Sequence, residues 1–233
     1  DFAGGYLFSD DAALDPPRLV SAASQAAALA GAEIRTGVAV RRVAVSNGRA
    51  VGVETDQGVV EGDAVIVCAG AWSGLVEGAM ANPAAVRPAR GQVVELAARP
   101  VPVASVVYGP GGYMVPRADG HVYVGSTLEF VGYRRGVTVA GMAKLLALAT
   151  TLVPSLREAT VTRSWSSFRP YTDDGAPLVG AHEVDGLFLA TGHYRSGILM
   201  APVTAEIVRD LVLKGERHPR LDAMSPSRPA VRA

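Results

Sequence analysis

The chain has 233 residues, enough for one large domain or two small ones. Hydrophobic residues make up 49% of it and charged residues 19%, a composition typical of a folded globular protein. Lys plus Arg and Asp plus Glu both number 22, so the net charge is zero and composition favours neither nucleic acid nor any other polyanion as a partner. The single cysteine, Cys68, excludes an internal disulfide framework and favours a cytoplasmic location, and no apolar run is long enough for a membrane span.

The first patterned segment, residues 15–30, predicts a helix. Asp15 is the expected N-cap, two prolines fit the first turn, and Gly31 can adopt the left-handed stop. The many alanines predict close packing against another element. Because the chain begins with Asp1 and shows no secretory leader, we expect that an N-terminal segment of the parent protein precedes it.

Two strand patterns follow this helix. Residues 37–55 alternate valine with polar residues on both sides of Asn47-Gly48, which predicts a β-hairpin. The apolar run over residues 64–68 predicts a strand buried on both faces. Cys68 is then expected to be a core residue rather than a nucleophile.

The second half of the chain mixes strands with two helices. "GQVVEL" predicts a strand, Asp119-Gly120 a second hairpin turn, and "ATVTRSWSSFRP" and "GLFLATG" two further strands. Residues 138–152 predict a helix capped by Thr138, and a final helix is expected to end at Gly215, with a loose tail from Glu216. Without regular βαβ alternation, the chain is predicted to have an α+β fold with a partly antiparallel sheet.

Three stretches are candidates for chemistry, and each has an ordinary structural alternative. "GHYRSGILMAP", residues 192–202, places glycines at a helix start, where free N–H groups favour a partly negative oxygen; the alternative is a plain loop with Gly197 as hinge. Arg169 in "SFRPYTDDGAPLVG" could pair with a carboxylate ligand, or with Asp173 or Asp174 at the surface. Tyr113 in "GYMVPRADGHVYVGST" could face a pocket or simply belong to the sheet.

Several common motifs are absent from the sequence. It has no HExxH, no Cys/His cluster, no nucleophile elbow, no P-loop and no GxGxxG after a strand, so we predict no metal site and no complete nucleotide-binding unit.

Three longer stretches, taken in order, nevertheless resemble one family. "GYMVPRADGHVYVGSTLEFVGYRRGVT", "SWSSFRPYTDDGAPLVG" and "GLFLATGHYRSGILMAPVTAEIVRDLV" are similar to the glycine oxidase branch of the D-amino-acid oxidase family. The resemblance extends from "DPPRLV" to about Lys214. It implies noncovalently bound FAD, held by a Rossmann-like domain, and a substrate domain built on a mainly antiparallel sheet.

The resemblance also implies a division of the chain. Residues 1–80 and 176–215 correspond to an incomplete Rossmann-like FAD domain, residues 81–175 to the substrate domain and residues 216–233 to a C-terminal tail. The family's GxGxxG and its ribose-binding acidic residue have no counterpart in this sequence.

Site residues follow from the same resemblance. Arg169 and Tyr113 correspond to residues that bind the substrate carboxylate, and Leu128 to a pocket wall. The cofactor-binding positions are Val38, Ala69, Gly70, Trp72, His193, Tyr194, Arg195, Ser196, Gly197, Ile198 and Leu199. Two departures concern pocket shape: Phe168 adds bulk before Arg169, and Ser196 replaces a longer side chain.

The implied reaction is the oxidative deamination of glycine or another small amino acid by oxygen, giving a keto acid, ammonia and hydrogen peroxide. No side chain is expected to act as acid or base at the reacting carbon. Glycine oxidases often supply thiamine biosynthesis. The alternatives are a sarcosine or D-amino-acid oxidase, a related dehydrogenase, and a non-catalytic remnant or half of a split flavoprotein; a homo-oligomer remains open.

Overall fold

A computed structural model describes residues 4–219 and 221–228. Its helices are α1 (Pro16–Leu29), α2 (Val139–Leu152), α3 (Gly197–Lys214) and α4 (Leu221–Met224). Its strands are β1 (Val40–Ser46), β2 (Arg49–Thr55), β3 (Gly58–Glu61), β4 (Val65–Val67), β5 (Arg87–Ala97), β6 (Val107–Gly109), β7 (Gly112–Pro116), β8 (His121–Gly125), β9 (Thr160–Tyr171), β10 (Leu178–Ala181) and β11 (Leu187–Thr191).

The strands form three sheets in the described part of the chain. Their orders are β1-β2-β3, β10-β11-β4 and β6-β7-β8-β5-β9. Strands β11 and β4 pair in parallel, whereas the other neighbours are antiparallel. The predicted α+β class with mainly antiparallel sheets is confirmed. None of the helices described is both long enough and apolar enough to cross a membrane.

Local signals in the sequence located the turns and helix ends correctly. Asn47 and Gly48 both have positive φ, 49° and 78°, as a two-residue hairpin turn of the primed type requires. Thr138 caps α2 by accepting a hydrogen bond from Gly141 N at 3.1 Å, and Gly215 ends α3 in the left-handed conformation.

The alanine-rich helix α1, predicted to pack closely against another element, has no apolar packing partner among the described residues. No residue of α1 is buried, and Leu29 is 91% exposed. Alanine has the highest helix propensity, so a run of alanines specifies a helix without specifying a partner. The contact that anchors α1 is polar: Arg117, at the end of the β7–β8 hairpin, forms an ion pair with the N-cap Asp15.

Strand β4 is buried on one face only, which corrects a second expectation. Val65 and Val67 are buried, but Ile66 is 43% exposed and Cys68 is exposed. Strand β4 is the edge of its sheet within the described residues, and Ile66 and Cys68 line an open cleft between this sheet and α3, which Thr204 and Val208 also line. Cys68 is therefore not a core residue.

Three hydrophobic clusters hold the described chain together. The cluster on the five-stranded sheet joins β5, β7 and β8 to the apolar stripe of α2. The other two lie on either side of the small sheet β10-β11-β4. One of the clusters on the small sheet includes Val86, which lies within residues 81–175. The division into residues 1–80 with 176–215 and residues 81–175 stays a prediction.

The segment after α3 is packed, contrary to the expected loose tail. Leu221 of α4 is 4% exposed and joins Ile207 and Val208 of α3 in one cluster. Arg228 donates to both carboxylate oxygens of Asp174, at 2.6 and 2.8 Å, and to Pro177 O at 2.9 Å. The polar composition of this stretch predicted a loose tail, because the ion pair between Arg228 and Asp174 joins residues that are distant in the sequence.

We expect Arg228→Met to release this segment. Hydrogen exchange at residues 221–227 should rise at least about tenfold, because the bonds to Asp174 and Pro177 are lost and a single charged hydrogen bond already contributes ~1.4 kcal/mol. Arg217→Met, which removes an exposed ion pair with Asp222 in the same segment, is the control and should leave exchange unchanged. Unaltered exchange in Arg228→Met would contradict the anchoring role.

Acid should have the same effect as Arg228→Met. The hydrogen bonds from Arg228 hold the pKa of Asp174 below its ordinary value. A depressed carboxyl pKa contributes stability above the unfolded value of about 3.9, and this stability is lost as the pH falls through the lower folded pKa.

Candidate functional site

Three distant segments meet at the ends of β9 and β11. Ser73, in the 3-10 turn Gly70–Leu75, hydrogen-bonds Thr191 at 2.8 Å between their hydroxyl oxygens. Thr191 also donates to Gly70 O at 3.1 Å, and Tyr194 N donates to Pro170 O at 3.0 Å. These bonds bring the turn that contains Ala69, Gly70 and Trp72, the strand end at Arg169, and the loop before α3 to one place.

The N-terminus of α3 has no side-chain cap. Ser196 makes no capping hydrogen bond, and the first bond into the helix runs from Met200 N to Ser196 O at 2.9 Å. The amide groups of residues 197–199 precede that bond, at the positive end of the helix dipole. The geometry favours an incoming oxygen with partial negative charge, in preference to Gly197 as a simple hinge.

The loop before α3 is held in a bent conformation. Gly192 and Tyr194 have positive φ of 75° and 47°. The guanidinium of Arg195 lies 5.2 Å from the ring of Tyr194, and that ring packs edge-on against Tyr171 at 5.2 Å. The loop is therefore fixed to β9, the strand that carries Arg169.

His193 is an uncharged, half-buried member of this loop. Its Nε2 atom hydrogen-bonds the hydroxyl of Thr204 on α3 at 3.0 Å. Burial lowers the pKa of His193 below its ordinary value. A neutral imidazole adds no positive charge to the helix start and ties the loop to the second turn of α3.

Exposed apolar side chains lie in the first turn of α3 and on the turn Gly70–Leu75. Ile198 is 45% exposed, Leu199 84% and Trp72 38%. Exposed apolar side chains around free amide donors suit a flat ring with polar edges, such as an isoalloxazine. The residues present thus fit the ring end of FAD.

Trp72 is braced from the five-stranded sheet. Its ring contacts Phe168 edge-on at 5.9 Å and Tyr133 at 6.5 Å, and Tyr133 donates its hydroxyl to Ala71 O at 2.7 Å. The sequence suggested that Phe168 adds bulk beside Arg169. In the structure, the ring of Phe168 packs against Trp72 and does not crowd the guanidinium of Arg169. Successive strand residues face opposite sides of a sheet, so the bulk of Phe168 supports Trp72 instead.

Arg169 lies flat across the sheet. Its Nη1 donates to Thr127 O at 3.3 Å and its Nη2 to Ser126 Oγ. Both acceptors are uncharged. An ideal Cβ on Gly91 of β5 would be 2.5, 2.6 and 2.7 Å from Nη2, Nη1 and Cζ, so the guanidinium occupies the space that a side chain there would fill.

Arg169 differs from the other arginines that are not exposed. In the described residues these are Arg90, Arg117 and Arg228, and each pairs with a carboxylate, of Glu129, Asp15 and Asp174 respectively. Arg169 has no such partner among residues 4–219 and 221–228. The alternative pairing with Asp173 or Asp174 is wrong, because Asp173 pairs with Arg87 and Asp174 with Arg228.

Tyr113 and Leu128 are linked to Arg169 through the segment 125–128. An ideal Cβ on Gly125 would be 2.9 Å from both Cζ and the hydroxyl of Tyr113, so that ring covers Gly125. Gly125 directly precedes Ser126, which binds Arg169, and the exposed Leu128 directly follows Thr127. Residues 125–128 thus connect the residue that Tyr113 covers, the two residues that hold Arg169, and Leu128; a shared pocket of these three side chains stays a prediction.

Two groups of residues complete the comparison with the sequence-based site. Val38 lies two residues before β1, in a different part of the fold from the five-stranded sheet that carries Arg169. The amide of its neighbour Ala39 donates to Asp56 at 3.0 Å. Sequence reasoning missed Gly91, Ser126, Thr127 and Tyr133, whose roles depend on cross-strand register. The one available signal was the run of small residues at the end of "HVYVGST".

Comparison with known proteins gives one family. The family model described as "FAD dependent oxidoreductase" matches residues 1–211. A "Bifunctional protein ThiO/ThiG" from Synechocystis sp. is 38% identical over 98% of this chain and 35% of its own length. A glycine oxidase from Pseudomonas putida is 37% identical over 86% of this chain and 55% of its own length.

Solved structures agree with these matches. The crystal structure of glycine oxidase from Geobacillus kaustophilus has a TM-score of 0.83 and 35% identity, and the match covers 91% of this chain and 58% of that one. L-proline dehydrogenase from P. horikoshii has the same TM-score of 0.83 at 21% identity, which shows a shared fold. This chain spans between about a third and three fifths of the proteins compared with it here.

Proposed function

The chain belongs to the family of FAD-dependent oxidoreductases that includes glycine oxidase, and from this premise we propose that it is part of an enzyme that oxidatively deaminates glycine or another small amino acid. In this proposal the chain carries the substrate site and the part of the FAD site that holds the isoalloxazine ring. The balanced reaction converts amino acid, oxygen and water into keto acid, ammonia and hydrogen peroxide.

The uncompensated guanidinium of Arg169 carries this proposal. It is half-buried, it is held by two neutral acceptors, and no carboxylate pairs with it in the described chain. A partly buried charge without a counter-ion is costly, and an arriving carboxylate removes that cost while accepting two hydrogen bonds from the planar fork. This favours an amino acid over a simple amine as substrate.

The neighbouring residues are proposed to orient the substrate. The Tyr113 hydroxyl hydrogen-bonds the same carboxylate, and Leu128 forms a wall beside it. With the carboxylate fixed, the Cα–H is directed toward the cofactor, and catalysis rests mainly on orientation. No side chain of this chain is assigned as acid or base at Cα, so the amine reacts in its neutral form.

FAD, when bound, supplies the hydride acceptor, and oxygen is the final oxidant. The amides of Gly197, Ile198 and Leu199 would hold the carbonyl edge of the ring and stabilise negative charge on it. Trp72 and the loop from His193 to Ser196 would shape the ring pocket, and Ala69 and Gly70 would line the turn beside it. Val38 is proposed to contact the adenine end.

Two preparations test the proposal: the 233-residue chain, and the native protein purified from its natural source. Each is incubated with FAD, freed of excess and measured by visible absorption, followed by peroxide release from glycine in air. We expect the native protein to retain FAD and to oxidise glycine. Retained FAD with no oxidation of any small amino acid would contradict the proposed reaction, and glycine oxidation without peroxide would identify a dehydrogenase. Failure of both preparations to retain FAD would favour the non-catalytic alternative.

A further inference from the structure

The guanidinium of Arg169 lies in a seat formed by Gly91, Ser126 and Thr127. The unusual feature of this seat is that Gly91 has no side chain. Gly91 lies in the middle of β5, opposite Ser167 of β9, and is buried. Its backbone does not have the left-handed φ that demands glycine. Conformation therefore does not explain a glycine at this position, where it weakens a strand.

Contact with Arg169 explains it. A Cβ on Gly91 would lie 2.5–2.7 Å from three atoms of the guanidinium, far inside van der Waals contact, and these are its nearest neighbours. Because the guanidinium is the far end of a flexible side chain, an added methyl group would displace it and leave the backbone in place. Gly91 sets the height of the guanidinium above the sheet.

The hydroxyl of Ser126 sets the direction in which the guanidinium of Arg169 points. Nη1 and Nη2 each donate to one of two consecutive residues, Thr127 O and Ser126 Oγ, so rotation of the fork is restricted from one side. Three of the five N–H groups of Arg169 have no acceptor in the described part of the chain. These remain for a ligand.

We propose that Gly91 and Ser126 are positioning residues that preorganise Arg169 as a carboxylate receptor. The inference rests on the proposed function for the identity of the substrate, but the seat itself is a property of the protein before any reaction. Preorganisation reduces the entropy lost when the carboxylate binds, so disturbing the seat should weaken binding without disturbing the fold.

The main test is Gly91→Ala in the FAD-loaded native protein. Affinity for acetate, a carboxylate without an amine, is measured by titration calorimetry, and KM and kcat are measured for glycine and for a primary amine without a carboxylate. We expect the acetate Kd and the glycine KM to rise about 100-fold, as a shift of the fork by about 1 Å predicts. The amine kinetics and the Tm, within about 2 °C, should not change.

Gly62→Ala is the matched control, since its Cβ would meet only Ala64 O at an ordinary 3.5 Å. Ser126→Ala should raise the acetate Kd about tenfold, and Ser126→Thr, which keeps the hydroxyl, should restore it. Combined with Arg169→Met, Gly91→Ala should add less than about twofold, because it acts through Arg169.

The outcomes separate this inference from the proposed reaction. Acetate binding that weakens in Gly91→Ala supports the seat even if no amino acid is oxidised, in which case only the reaction fails. If Gly91→Ala leaves the acetate Kd and the glycine KM unchanged, or if the wild-type protein does not bind acetate, the inference is overturned. An equal loss with the carboxylate-free amine would also overturn it.

Discussion

Replacement of Arg169 by methionine in the FAD-loaded native protein is expected to raise the glycine KM by about two to three orders of magnitude. The change removes the charged, bidentate interaction proposed with the carboxylate, and breaking a partly buried pair of this kind costs ~3–4 kcal/mol. Activity on a primary amine that lacks a carboxylate should be unaffected, because the carboxylate is the only part of the substrate that Arg169 is proposed to bind. The measurement is steady-state peroxide release with both substrates.

Two observations distinguish a loss of carboxylate binding in Arg169→Met from a folding defect. Arg169 makes no ion pair with a carboxylate in the described residues, so methionine leaves no buried charge unpaired and Tm should not fall. Arg163→Met on the same strand is the control: Arg163 is exposed and pairs with Glu95, so its loss should not change the glycine KM. If the amine and glycine lose activity equally, Arg169 does not bind the carboxylate.

Local patterns in the sequence predicted most of the secondary structure. The hairpin at Asn47-Gly48, the cap at Thr138 and the stop at Gly215 depend on residue types whose backbone preferences act over a few positions. Such signals need no knowledge of the rest of the chain. The loop before α3 was identified for the same reason, since its glycines lie together in the sequence.

Features that depend on distant partners were not predictable in this way. Ile66 and Cys68 are exposed because they line an open cleft between β4 and α3, which is a property of tertiary packing. The anchoring of Arg228 by Asp174 joins residues 54 positions apart. Arg169 was selected by resemblance; its distinguishing property, the missing counter-ion, appears only once the partners of Asp173 and Asp174 are known.

The second large effect is expected at a buried polar cluster next to Leu128. The Arg90 side chain is 7% exposed and forms an ion pair with Glu129. Gln92, fully buried, donates to Glu129 Oε1 at 2.6 Å and accepts from Thr138 N, the cap residue of α2, at 2.8 Å. The cluster therefore fixes both ends of the 129–138 segment to β5.

We expect Arg90→Met to lower the free energy of unfolding by about 3–5 kcal/mol, because it leaves the Glu129 carboxylate in a partly buried site without its counter-ion. Desolvation raises the pKa of Glu129, but hydrogen bonds from Thr127, Arg90 and Gln92 outweigh it and hold the pKa below the ordinary value. Urea unfolding at neutral pH measures the loss. Arg42→Met, which removes an exposed pair with Glu54, should cost less than about 1 kcal/mol.

A second substitution separates loss of the charge pair from loss of packing. In Arg90→Met, the unpaired Glu129 charge is the source of the cost, so adding Glu129→Gln should recover a large part of the stability. We also expect Arg90→Met to raise the glycine KM, because Leu128 is adjacent to Glu129, and the recovery of stability should be accompanied by a return of the KM toward the wild-type value. If Glu129→Gln destabilises Arg90→Met further, the arginine acts by packing its stem rather than by compensating the carboxylate. In that case the position of Leu128 does not depend on this charge pair.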